Sequence, residues 1–292
     1  AHLLDRWRRR HWTPDAVKIA AFTGLRPIVV ITGGGDGIGR ALAFRFAKAG
    51  HDLLLIGRRP EPLAEAAAAI TRAHGFSAMA LPLDITAPDA RAVLDQALAA
   101  HNAYCDILIN NAGIGLAGAF LHRTAGETAQ LLALNVGALT TLTHHVSPGM
   151  HTRGRGGILN IASLGGVVPG PYQAAYYASK AYVISLTEAL AHESRGRGVR
   201  IATIAPGPVA TDFHSRMAGE SALYTVLLPW NSPVSVAASA YRGFWLGRTV
   251  IVPGAVHTAL GFGMRLIPHK LLLPIIGALL RPRRSVASRQ EP

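Results

Sequence analysis

Short apolar runs alternate with longer stretches of helical spacing along most of this chain. Ile28-Val29-Val30-Ile31-Thr32 is a nearly continuous apolar run, the pattern of a strand buried on both faces. A glycine-rich turn follows. Helical spacing then runs from Ile38 to Ala49, with Gly50 placed as a C-cap. Leu53–Ile56 reads as a second strand, 61–73 as an alanine-rich helix and Ala78–Leu83 as a third strand. The pattern continues with a helix over 88–101, a strand at Ile107–Ile109 and two helices over about 124–134 and 136–150. A fifth strand at Ile158–Ile161, a helix over 176–194, a sixth strand over 199–205 and a seventh at Val250–Val252 complete it.

Strands alternating with helices predict an α/β fold, a doubly wound parallel sheet of about seven strands with helices on both faces. The spacing places one domain at 27–255, with a basic N-terminal extension at 1–26 and an apolar, basic C-terminal extension at 256–292. Half of the 292 residues are hydrophobic, enough for a sizeable core. The single cysteine, Cys105, excludes an intramolecular disulfide framework and a cysteine-based zinc cluster, and suits a reducing cytoplasm. No metal site is expected, because the 13 histidines are scattered. The net charge of +13 is uneven: residues 1–27 carry +4 and residues 265–292 carry +5. Basic ends of this kind suit an anionic membrane surface or a nucleic acid. Attached to an ordinary domain they do not make a nucleic-acid protein, and none is expected as partner.

Thr32-Gly33-Gly34-Gly35-Asp36-Gly37-Ile38-Gly39 joins the first strand to the first helix. Glycines allow a tight turn and close approach of a diphosphate, which the free N–H groups of the helix start then hold. Gly33, Gly35, Asp36, Gly37, Ile38 and Gly39 are therefore candidate cofactor-binding residues. The loop is no Walker A motif, because Arg40-Ala41 stands where Lys-Ser/Thr is required. After the second strand, NAD-preferring proteins place an acidic residue on the ribose 2′-hydroxyl. Here Gly57 is followed by Arg58 and Arg59, which suits a 2′-phosphate. NADP(H) is favoured on this ground, with NAD(H) as the alternative and Asp36 as an acidic complication.

Tyr176 and Lys180 are four residues apart, on one face of a helix. A tyrosine starts near pKa 10, and a fixed cation beside it is expected to lower that value. Ser163, 13 residues upstream of the tyrosine, supplies a hydroxyl that can hold a substrate oxygen. By itself Tyr-x-x-x-Lys is a common helical spacing.

Taken in order, Thr32 to Gly39, Asp84, Asn110-Asn111-Ala112-Gly113, Asn135, Ser163, Tyr176-x-x-x-Lys180 and Pro206-Gly207-Pro208-Val209-Ala210-Thr211 resemble the short-chain dehydrogenase/reductase family, in its single-domain subgroup. The resemblance runs from about 27 to 255 and implies a Rossmann-like fold. It also implies roles. Asn135, Ser163, Tyr176 and Lys180 would be catalytic. Asp84, with Ile85 beside it, would hydrogen-bond the adenine, and Asn111, Ala112 and Gly113 would line the cofactor. Pro206, Gly207, Val209 and Thr211 would cover the nicotinamide amide. Tyr176 and Lys180 would also meet the cofactor, the lysine at the nicotinamide ribose. Asn135 would kink its helix and hold a water that relays protons. A homodimer or homotetramer, built partly by the helices at 124–150 and 176–194, is implied as well.

The expected activity is hydride transfer between NADP(H) and a carbonyl or alcohol. Phe213, Met217, Leu223, Tyr224, Val226, Leu227, Leu228 and Trp230 make the segment after Pro206-Gly207 strongly apolar, which suits a lipid-like substrate or a lid packed on its own core. Leu271–Leu280 is apolar, interrupted by Pro274 and Gly277, and too short to span a membrane. It suits a hairpin lying on a membrane surface or a helix docked on a partner subunit. Near the N-terminus, Trp7 and Trp12 stand among arginines, and Thr13-Pro14 marks a helix start. Two other readings stay open: a cofactor-binding sensor without catalysis, and a membrane-surface or nucleic-acid binder acting through the basic ends.

Overall fold

The computed structural model describes residues 16–20, 22, 24–217 and 223–281. The expectations for Trp7, Trp12, Thr13-Pro14 and the basic residues of 1–15 and 282–292 lie outside them. Among the described residues, seven strands form one sheet in the order β3-β2-β1-β4-β5-β6-β7, every pair parallel. They are β1 Arg26–Thr32, β2 Asp52–Gly57, β3 Ala78–Pro82, β4 Ala103–Asn110, β5 Gly156–Ile161, β6 Val199–Ile204 and β7 Val250–Ile251. The central strands are apolar on both faces because helices cover both. Val29 and Ile31 face one core cluster and Ile28 and Val30 the other. Each such side chain, taken fully out of water, contributes roughly 1.5–3 kcal/mol before chain entropy is charged.

Helices Gly37–Ala47, Pro60–His74 and Ala90–Ala100 cross between the first four strands. Chain order reverses between β1 and β4, and the crevice that this opens at the strand C-termini is where doubly wound folds bind ligands. The helix after β4 shows how local chemistry sets an element. Thr124 caps it, accepting from the Glu127 N–H at 3.1 Å while the Glu127 carboxylate accepts from the Thr124 N–H at 2.8 Å. The pattern predicts two helices here. The structure has one path, Ala125–Leu132 and Leu139–Arg153 joined through a π-helical turn at Ala133–Ala138, which widens the helix around Asn135.

Two differences matter for the site. First, a helix at Pro233–Trp245 appears where the hydrophobic pattern places none. Its signals are a Ser232 cap, which accepts from the Ser235 N–H at 3.1 Å, and Pro233 at the first turn. Small residues at 237, 240 and 243 hide its periodicity. Second, the C-terminal extension is no free appendage. Helices Ala255–Leu266 and His269–Leu280 fold back over the C-terminal end of the sheet, where Leu280, Ile276 and Leu279 pack with Tyr224, Leu228 and Tyr177. Their outward faces expose Phe262, Leu266, Leu271 and Ile275. No helix among the described residues is long and apolar enough to cross a membrane.

Candidate active site

A cavity of about 1060 Å³ opens at the C-terminal end of the sheet. Its floor is the turn after β1. Gly33 and Gly37 take φ of +66° and +52°, which side chains resist. At Gly39 a Cβ atom would collide with the Gly33 carbonyl oxygen and lie 2.5 Å from Asn111 Nδ2. The turn thus lies flat against the helix start, with first-turn N–H groups that have no intrahelical acceptor. A diphosphate fits this arrangement.

Asn111 lies at the cavity wall, as expected, but its side chain does a different job. Its Nδ2 donates to the Thr32 and Gly33 carbonyls, both at 3.0 Å, and so pins the glycine turn to β4. Thr32 Oγ1 completes the joint by accepting from the Asn111 and Ala112 N–H groups. Asp84 and Ile85 line the same cavity. The Asp84 carboxylate accepts from Thr86 N and Oγ1 at 2.9 and 2.7 Å, and these bonds hold its pKa below the usual carboxylate value.

The acidic complication at Asp36 resolves through its neighbours. Arg59 pairs with the Asp36 carboxylate, and Arg216, from the short helix Phe213–Arg216, reaches the same carboxylate at 3.1 Å. Arg59 is therefore engaged within the protein, whereas Arg58 lines the cavity with no carboxylate partner among the described residues. Arg40 is a further cation at this end, paired with Glu65 at 3.1 Å. Arg40 and Arg216 carry no signal in the sequence pattern; only the fold brings them to the cradle.

At the other end of the cavity stand Ser163, Tyr176 and Lys180. Ser163 follows β5 and caps a 3₁₀ turn, accepting from the Gly165 N–H at 3.1 Å. Tyr176 and Lys180 lie on the helix Ala174–Glu193, both buried. Lys180 Nζ donates to the Ile161 carbonyl at 2.8 Å and lies 5.8 Å from the Tyr176 ring centroid. The expected lowering of the phenol's pKa is absent from this site. Burial pushes Tyr176 up to about 12, partly offset by its hydrogen bond with Ser163. Burial also brings Lys180 down to about 8. Desolvation outweighs the pairing because the ammonium is turned to a backbone carbonyl.

Asn135 sits in the π-helical turn, 1% exposed. Its Oδ1 accepts from the Ile114 N–H at 2.9 Å, and its Nδ2 donates to the Ile114 carbonyl at 2.8 Å and to Ser179 Oγ at 3.2 Å. The side chain thus ties the segment after Gly113 to the tyrosine helix. A second buried network lies beneath. Asn110 Nδ2 donates to Thr143 Oγ1 at 3.0 Å and Asn160 Oδ1 at 2.9 Å, and Asn160 Nδ2 donates to Thr187 Oγ1 at 2.9 Å. Each bond costs more if broken than it contributes when made, so the network fixes the tyrosine helix on the sheet.

The loop from Pro206 to Thr211 closes the cavity between these two ends. The Leu164 N–H donates to the Pro206 carbonyl at 2.8 Å, and a Cβ on Gly37 would lie 3.2 Å from Thr211 Cγ2. Gly207 admits the buried ring of His257, which a side chain there would displace. Val209 pairs with Asn231 and packs in the core.

Over residues 27–221 the sequence matches the family described as short chain dehydrogenase. The chain belongs to that family. Among solved structures, it superposes on a short-chain dehydrogenase from Sphingobium yanoikuyae in complex with NADPH, with a TM-score of 0.72 and 31% identity, covering 90% of this chain and 100% of that one. It is 35% identical to 17-beta-hydroxysteroid dehydrogenase type 3 of Rattus norvegicus over 184 residues, 62% of this chain and 60% of that one. It is 34% identical to a very-long-chain 3-oxoacyl-CoA reductase of Laccaria bicolor over 174 residues, 59% of this chain and 52% of that one. The match thus spans between about half and three fifths of these two curated relatives.

In this short-chain dehydrogenase the substrate end of the cavity is apolar. Phe213 lies 5.7 Å from Tyr176, centroid to centroid, and Met217, Leu228, Met264, Ile276 and Leu279 line the space beyond. Four of these five come from 217–228 or from the C-terminal helix 269–280, elements whose role the sequence pattern left divided between a lid, a membrane surface and a partner contact.

Proposed function

We propose that this short-chain dehydrogenase reduces an apolar, lipid-like ketone with NADP(H). The observation that carries the proposal is the single cavity shared by the glycine cradle and by Ser163, Tyr176 and Lys180. The cradle residues Gly33, Gly35, Gly37, Ile38 and Gly39 would hold the diphosphate, and Asp84 and Ile85 the adenine end. Arg58 would meet the 2′-phosphate, with Arg59 available once it leaves Asp36. Lys180, Asn111, Ala112 and Gly113 would flank the ribose, and Pro206, Gly207, Val209 and Thr211 the nicotinamide. A bound nicotinamide cofactor supplies the hydride.

The chain's own groups manage the oxygen. Ser163 and Tyr176 donate hydrogen bonds to the carbonyl oxygen, and Tyr176 passes its proton to that oxygen as negative charge develops. The raised pKa of Tyr176 keeps the phenol protonated at neutral pH, the state that reduction requires. Alcohol oxidation needs the phenolate, which this buried site disfavours. Lys180 then restores the phenol's proton. The apolar wall suits steroid-like or fatty acyl ketones, the chemistry named in the two curated relatives.

The test is a panel of apolar ketones and alcohols, read at the reduced-nicotinamide absorbance with NADPH and NADH compared. Reduction with NADPH preferred is expected, and Arg58→Ala is expected to erode that preference about tenfold, the loss of one charge-assisted contact at a solvent-facing site. A strong NADH preference in the wild type would overturn the assignment of Arg58. The pH profile has a definite sign. Lys180 loses its proton as pH rises through about 8, so the reduction rate is expected to hold below that value and to fall above it. A rate that rose through the same window would remove Lys180 from the proton path.

A further inference from the structure

We infer that the helices Ala255–Leu266 and His269–Leu280 dock this protein on the surface of an anionic phospholipid bilayer, with their outward side chains in the lipid interface. The inference goes beyond the reductase reading and does not depend on it. Both helices are apolar on more than one side. Met264, Ile276, Leu279 and Leu280 turn to the cavity. Away from it, Phe262, Leu266, Leu271 and Ile275 are each between 57% and 69% exposed. A helix that only walls a cavity needs one apolar face, and its outer face is ordinarily polar. The short helix Tyr224–Leu227 repeats the pattern. It packs beside Leu280 through Tyr224 and exposes Val226 and Leu227. Single exposed leucines are ordinary, whereas their concentration on neighbouring elements marks a contact surface.

Charge decides what covers this surface. The chain's 16 acidic residues all lie outside 221–290, a stretch that holds eight arginines and lysines. Three of these, Arg265, Lys270 and Arg281, are exposed on or next to the two helices and make no ion pair among the described residues. Arg265 and Lys270 flank the junction at Pro268, beside the exposed Leu266, Ile267 and Leu271. Apolar side chains ringed by cations, with no carboxylate among them, complement a layer of anionic headgroups over acyl chains. A second copy of the chain fits less well. A two-fold contact over this face would set the cations against their own counterparts, with no acid to pair them.

The dimensions suit an interface and not a span. Each helix has 12 residues, about 18 Å of length at the usual rise, against roughly 30 Å of hydrocarbon core. The long stems of Arg265 and Lys270 can lie along the apolar surface while their charged ends stay at headgroup level. Docked in this way, the two helices stand between the lipid and the cavity that they wall. An apolar molecule dissolved in the bilayer is then one helix away from that cavity.

The experiment is co-sedimentation of the full chain with vesicles of phosphatidylcholine alone and of phosphatidylcholine with about one third phosphatidylserine. The wild type is expected to bind the anionic vesicles at least about tenfold more tightly than the neutral ones, less so as salt is raised. Phe262→Gln/Leu271→Gln leaves the charge unchanged and is expected to weaken binding to the anionic vesicles about 100-fold, the loss of two apolar side chains from the lipid. Arg265→Gln/Lys270→Gln is expected to weaken it about 20-fold and to leave the neutral vesicles nearly unaffected. A thermal melt and size-exclusion chromatography on each preparation report folding and assembly. Undiminished binding in Phe262→Gln/Leu271→Gln would place the attraction in the basic ends of the chain and overturn the inference. A wild type that binds neither vesicle would overturn it too. If that wild type were also a dimer that the same pair of substitutions dissociates, the face would belong to a second copy.

Discussion

Tyr176→Phe is expected to lower kcat for ketone reduction by about 10²–10⁴-fold, the usual contribution of a placed general acid. The substitution removes one hydroxyl and leaves the ring, which packs against Phe213 and Tyr177. Cofactor affinity and melting temperature are therefore expected to stay close to those of the wild type. The hydroxyl's own partner is the Ser163 side chain, which is fixed by the Gly165 N–H and does not depend on the phenol for its place. Initial rates, NADPH fluorescence and a thermal melt on the same preparation separate chemistry from folding. Near-wild-type turnover in the variant would show that another group protonates the substrate oxygen.

Gly39→Ala is expected to have the largest effect at the other end of the cavity. The added methyl would collide with the Gly33 carbonyl oxygen, a backbone atom in a turn already pinned by Asn111. Overpacking in such a place costs roughly 1–3 kcal/mol. That corresponds to about 5–150-fold, shared between weaker NADPH binding and a lower melting temperature. Gly263→Ala is the matched control, since its Cβ meets nothing within 4 Å and it lies in a helix, where alanine is favoured by roughly 0.5–1 kcal/mol. The expected pattern is loss at 39 and no loss at 263. Unchanged affinity and stability in Gly39→Ala would mean that the turn can open, and that it is not the rigid cradle described above.

The Ser163, Tyr176 and Lys180 cluster and the glycine turn were legible because the chemistry proposed for them demands particular residues at local spacings. Glycine at 33, 37 and 39 answers to backbone geometry, and Tyr176 and Lys180 answer to helical periodicity. What local spacing could not carry was the environment of each group. The expectation that Lys180 lowers the tyrosine's pKa followed from proximity on one helix face. The fold turns the ammonium to the Ile161 carbonyl and buries both residues, so desolvation dominates instead. The same limit applies to Asp36. As a letter in the loop it argues against a phosphate, and only the approach of Arg59 and Arg216 neutralises it.

The apolar segments show the limit most clearly. Leu271–Leu280 has the hydropathy of a surface-seeking hairpin, and the structure lays one face of it over the substrate cavity. A hydrophobic stripe announces that it will be covered, but not by what. The parallel sheet, the glycine turn and the Tyr-x-x-x-Lys pair were determined by the sequence itself, since each rests on contacts within a few residues or on a repeating pattern. The arginines around Asp36, the Asn110–Asn160 network and the C-terminal wall were decided by tertiary structure. Each depends on residues far apart in the chain meeting in one place, and on the desolvation that the meeting imposes.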